Sequence, residues 1–176
     1  MSRERDTPAA LVVMAQLREG REQALLDELA ALPSGEESPF RRVASTHFCR
    51  WLLIPALLGA DGEAAEPGRA YLLLTADFDG PLADWVAAMT REMGPHLDRI
   101  FEHCDGYRGS GELGALTDFI AERRVSVGFS ILSSRATVAR VRSSLELRRA
   151  LREFAIDSQG MTPDALRRAW SERFGA

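Results

Sequence analysis

The chain has no lysine and no asparagine among its 176 residues, so all 22 of its basic side chains are arginine. Without lysine there is no amine for a Schiff base and no phosphate-gripping lysine of the P-loop kind. Without asparagine there is no N-glycosylation sequon. Cysteine is scarce too, with only Cys49 and Cys104. Long apolar runs are missing. The stretch 52–58 is far too short to span a membrane and contains Pro55. Residues 1–8 are polar and lack the apolar core of a signal peptide. The expectation is a cytoplasmic chain with two reduced thiols and no membrane span.

What is present is ordinary for a folded domain: 45% hydrophobic and 27% charged residues. A chain of this length buries roughly 70% of its unfolded surface and needs no disulfide or metal staple. A formal net charge of -4 argues against nucleic acid as the main partner. Residues 1–9 are expected to be disordered, and 10–176 to form one domain with a C-terminal helical extension.

Hydrophobic period and punctuation give the element order. Residues 10–17 are a short apolar run suited to a buried strand. Residues 21–32 place Leu25, Leu26, Leu29 and Leu32 at helical spacing before Pro33. Residues 34–42 are a polar loop. Residues 46–54 and 69–78 are rich in β-branched, aromatic and aliphatic side chains, and the turn-forming stretch 59–68 joins them as a hairpin. Asp79-Gly-Pro81 opens a helix carrying Leu82, Trp85, Val86, Met89 and Met93 on one face; Gly94-Pro95 breaks or kinks it before a second segment, 96–104. A short helix at 112–124, a strand at 125–132 and a long helix at 137–154 follow. That helix has Val138, Val141, Leu145, Leu151 and Phe154 on its apolar stripe. Thr162 caps a final helix reaching Phe174. The predicted fold is α+β, a ferredoxin-like βαββαβ sandwich with extra C-terminal helices. Helices then cover one sheet face, and the other needs a cover, so a homodimer through that face is expected.

Four motifs carry a family likeness. Thr46-His-Phe-Cys-Arg-Trp51, Tyr71-Leu-Leu-Leu-Thr-Ala-Asp-Phe-Asp-Gly80, His103-Cys-Asp-Gly-Tyr107 and Arg135-Ala-Thr-Val-Ala-Arg-Val-Arg142 resemble an uncharacterised bacterial domain. That domain is similar to the dimeric α+β barrel superfamily of dye-decolourising peroxidases and chlorite-dismutase-like proteins. The resemblance runs from about residue 11 to 154. It implies a dimeric α+β barrel found beside haem peroxidases, catalases or lipoxygenases, and hence an accessory or small-ligand-binding domain of oxidative metabolism with an oxidative enzyme as partner. It also implies two alternatives: a haem-dependent oxidoreductase, or a cofactor-free monooxygenase-like enzyme.

The candidate catalytic residues are Arg50, Asp79 and His103, and the candidate ligand-binding residues are Arg50, Trp51, Tyr71 and Tyr107. On an extended strand, His47, Cys49 and Trp51 alternate onto one face, with Phe48, Arg50 and Leu52 on the other. Arg50 amid apolar residues demands a carboxylate, with Asp77 and Asp79 at hand. It reads either as an anion site or, more commonly, as an ion pair pinning the hairpin. Haem needs an axial ligand; His96 and His103 are the helical choices, and the peroxidase-like resemblance implies His103 as the better one. Its plainer reading is a cation at a helix C-terminus. Asp79 reads equally as a helix cap. His47, Cys49, His103 and Cys104 include enough soft ligands for zinc, but adjacent helical residues diverge by about 100°. A Cys–His nucleophile pair lacks a visible orienting group. The glycine-rich stretch 105–111 follows a helix, which is wrong for a phosphate loop. The arginine-rich stretch 140–152 reads as a solvated helix face. A cofactor-free oxygenase would need an apolar pocket lined by Trp51, Tyr71 and Trp85.

Overall fold

The structure is a computed structural model, and it describes residues 7–63, 66, 68–111, 113–126 and 136–175. It is mixed α+β, with two compact units, Met1–Val138 and Ala139–Ala176. In the first unit β1 (Pro8–Gln16) leads to α1 (Glu22–Ala30), then to β2 (Thr46–Ile54) and β3 (Tyr71–Asp79). Next come α2 (Leu82–Phe101) and α3 (Leu113–Glu122). β1 thus begins inside the stretch expected to be disordered. The sheet is antiparallel throughout, in the order β1-β3-β2. The hairpin expected from the two apolar runs is the β2–β3 pair.

Alternation sorts the strand side chains between two faces. Leu11, Val13 and Ala15 of β1, Leu72, Leu74, Ala76 and Phe78 of β3, and Cys49, Trp51 and Leu53 of β2 point into one core. Helices cover this face. Leu25 enters from α1, Trp85, Met89, Leu97 and Phe101 from α2, and Leu116, Phe119 and Ile120 from α3. Each buried aliphatic or aromatic side chain contributes about 1.5–3 kcal/mol. Aromatic contacts lock the layers: Trp85 stacks on Phe78 at 4.6 Å between ring centres. Phe101 meets Trp51 edge-on at 5.2 Å and Phe119 at 5.2 Å.

A kink beside Gly94-Pro95 divides α2 into two helical segments, as the sequence suggests. α2 runs on to Phe101, and the distortion falls on Met93, at φ -144° and ψ 21°. Pro95 removes one amide from the ladder and crowds the preceding turn, and Met93 absorbs the resulting shift. Beyond α3 the chain turns back along the free edge of β1. The Val125 amide donates to the Val12 carbonyl at 2.8 Å, the Met14 amide donates to the Arg123 carbonyl at 3.0 Å, and Arg124 bridges Val13 in antiparallel sense. Residues 127–135, most of the strand expected at 125–132, lie outside the described residues.

The second unit holds α4 (Val138–Asp157), all but its first residue, and α5 (Pro163–Phe174), which form a helical pair. The Thr162 hydroxyl accepts from the Ala165 amide at 3.4 Å, the expected cap. Phe154, Trp170 and Phe174 cluster with ring centres 4.7–5.5 Å apart. The stripe expected along α4 is not buried as a whole. Phe154 is covered, whereas Val141, Leu145 and Leu151 are exposed. Phe154 lies about 140–180° around the helix from Val141 and Leu145, so the surface that covers it leaves those two facing outward.

Candidate functional site

The face of the sheet turned away from α1, α2 and α3 carries Val12 and Met14 on β1, Leu73, Thr75 and Asp77 on β3, and Phe48, Arg50 and Leu52 on β2. Phe48 is 44% exposed and Leu52 40%, high values for large apolar groups at strand positions. Arg50 lies opposite Thr75, and Phe48 lies opposite Asp77. The Arg50 guanidinium sits 4.9 Å from the centre of the Phe48 ring. Among the described residues no carboxylate forms an ion pair with it. The ion pair expected with Asp77 or Asp79 is therefore not formed: Asp77 is only diagonal to Arg50, and Asp79 is engaged elsewhere. Arg50 sits on an open face, where water keeps its charge solvated.

Asp79 closes the end of this face. A register shift between Thr46 and Phe48 takes His47 out of the alternation. His47 thus does not share a face with Cys49 and Trp51. Its Nε2 lies 2.9 Å from Asp79 Oδ1, and Asp79 Oδ2 accepts from the Val138 amide at 2.8 Å. The Asp79 side chain is 8% exposed. Asp79 does not cap the helix that follows it, since α2 has Pro81 at its N-cap and no side-chain bond there. It holds the Val138 amide, at the end of the first unit, instead. A carboxylate at a helix N-terminus is stabilised by the exposed amides there.

His103 is buried at 3% exposure, two residues past the end of α2. Arg21 Nε donates to its Nδ1 at 3.1 Å, so Nδ1 is the unprotonated nitrogen and the proton is on Nε2. Nε2 is enclosed, with no partner among the described residues. The ring is thus neutral, not a cation at a helix end, and no porphyrin plane reaches Nε2 without rearrangement of the core. Burial, and then the Arg21 charge, hold its pKa below the ordinary histidine value. The sign of the consequence is fixed. The unfolded chain takes up a proton near pH 6.5 while folded His103 does not, so stability is full above that pH and falls as the pH drops below it. Urea midpoints at pH 7.5 and 5.5 check this: the loss at pH 5.5 is expected to be smaller in His103→Gln than in the parent chain.

The neighbouring thiols are inert. Burial pushes Cys49 and Cys104 up to about 12, so neither supplies a thiolate at neutral pH. His96 is a surface group whose Nδ1 lies 2.8 Å from Arg99 Nη2. No three His, Cys, Asp or Glu side chains converge as a metal site among the described residues.

Tyr107 belongs to a cluster that sequence reasoning did not find. Asp98 on α2 accepts from the Tyr107 hydroxyl at 2.6 Å, the Ser110 amide at 2.7 Å and the Ser110 hydroxyl at 2.9 Å. Burial alone would raise the Asp98 carboxyl, but these three donors outweigh it and hold the group below its ordinary value. Tyr107 is pushed up, first by burial and then by Asp98. The cluster fastens the glycine-rich loop onto α2, with the Tyr107 ring against Phe101 and Phe119. Arg123 secures the same loop by donating to the Asp105 carbonyl at 3.0 Å. Neither Asp98 nor Arg21 had a signal in the sequence, because their partners lie on other elements.

Trp51, Tyr71 and Trp85 do not line one pocket. Trp51 and Trp85 point into the core, and the Trp85 indole N–H donates to the Thr46 hydroxyl at 2.9 Å. Tyr71 lies on the opposite face, its hydroxyl donating to Glu66 at 2.9 Å. There it borders an open hollow of about 390 Å³ with Met14, Gln16, Asp105, Glu122 and Arg123. The structure therefore leaves Arg50, Asp79, His103 and Tyr107 in four separate settings, not one constellation. No family model, curated protein or solved structure matches the chain.

Proposed function

We propose that the chain is a ferredoxin-like accessory domain that pairs with a second copy through the open face of its sheet, and that it acts by binding rather than by catalysis. The observation that carries this reading is the open face itself: Phe48 and Leu52 exposed beside Val12, Met14 and Leu73. Such a face in water favours association. Residues 123–125 support the ferredoxin-like part. They run antiparallel beside β1, where a fourth strand would complete the order 4-1-3-2. The dimeric α+β barrel is the assembly in which two such faces cover each other. The motif resemblance adds the setting, an oxidative enzyme as neighbour or partner, and the hollow beside Tyr71 is the place for a small ligand.

Light scattering coupled to size-exclusion chromatography tests the pairing. A dimer is expected at micromolar concentration, and Phe48→Asp combined with Leu52→Asp is expected to give a folded monomer. Both side chains are exposed in the single chain, so the change spares its core. A parent chain that stays monomeric at these concentrations overturns the reading.

A further inference from the structure

We infer that Arg50 and Asp77 form crosswise ion pairs between two copies of the chain, Arg50 of each against Asp77 of the partner subunit. This rests on the pairing proposed above and names what fixes its register.

The two residues carry opposite charge on one face and flank the same side chain. Asp77 is directly across from Phe48, and the Arg50 guanidinium lies over the Phe48 ring. Neither has an ion-pair partner within the chain among the described residues, and Asp77 has no hydrogen-bond partner there either. An unpaired charge is tolerable while the face is wet. Once a second apolar face excludes water, each charge needs an opposite one, because leaving it buried alone is costly. A two-fold contact supplies it: where residue i meets residue j of the partner, j also meets i. An axis near Phe48 sets each Arg50 against an Asp77 and makes two equivalent pairs. The same rule disfavours slipped registers, in which like charges meet or a charge faces Leu52 or Leu73.

The test uses the full chain with Arg50→Asp and Asp77→Arg, read by sedimentation equilibrium. Each variant alone is expected to associate at least about tenfold more weakly, because like charges meet. An equimolar mixture of the two is expected to regain parental association. One copy then offers two carboxylates and the other two guanidinium groups, and every crosswise pair is restored. A dimer whose association neither substitution changes overturns the inference and leaves the pairing intact. Recovery in the double variant but not in the mixture assigns the pair to a single chain and overturns it too. A monomeric parent chain removes the pairing and the inference together. Should a charge reversal fail to fold, Arg50→Gln and Asp77→Asn provide neutral versions; each is expected to weaken association several-fold, and no change with either overturns the inference.

Discussion

Trp85→Ala is expected to destabilise the chain by about 3–5 kcal/mol, measured by urea unfolding. The side chain is fully buried, stacks on Phe78 and donates its indole N–H to Thr46. Removing it opens a cavity between α2 and β3 and frees the start of β2 at once. For a domain with about 5–15 kcal/mol to spare this is a large fraction, and a fall of roughly 10 °C in Tm accompanies it. Trp85→Phe is the milder change. It keeps an aromatic ring beside Phe78 but loses the hydrogen bond and part of the indole volume, for about 1–3 kcal/mol, less than Trp85→Ala. A loss under about 1 kcal/mol in Trp85→Ala would show that the helix does not depend on this anchor.

Asp98→Ala is expected to cost about 3 kcal/mol at pH 7. It strands the Tyr107 hydroxyl and both Ser110 donors in a partly buried place. The pH dependence has a definite sign. The folded carboxyl sits below its ordinary value, so its contribution is whole above about pH 4. It fades as the pH falls further, through the folded value. The stability gap between the parent chain and Asp98→Ala, measured by urea titration at pH 7 and pH 3, is expected to narrow at the lower pH. A gap that stays constant across that range would detach the Asp98 charge from the effect.

The strands were legible because their physics is local. Residues 46–54 alternate and are rich in β-branched, aromatic and aliphatic side chains, and β2 has those bounds. The helices at 21–32, 137–154 and after Thr162 were equally plain, to within a few residues at their ends. What sequence could not supply were partners distant along the chain. Asp79 looked like the cap of the helix next to it, yet it serves Val138, 59 residues away. His103 looked like a helix-end cation, yet burial, and then Arg21, 82 residues earlier, keep it neutral. The register shift beside His47 was invisible because it depends on how β2 meets β3. Of the candidate site, the open face and Arg50 were readable from alternation. The absence of a carboxylate beside Arg50 was not, because diagonal reach across a pair of strands depends on side-chain direction.

One consequence follows from where β2 lies. Among the described residues it is hydrogen-bonded on one side only, to β3, so its outer backbone groups could recruit another extended chain and begin a fibre. Three features discourage that growth: the irregular start between Thr46 and Phe48, the cation at Arg50, and Pro55, which has no amide to donate just past the strand. Growth by strand addition is thereby blunted at the rim, and association that uses the flat of the sheet stops at a finite number of copies.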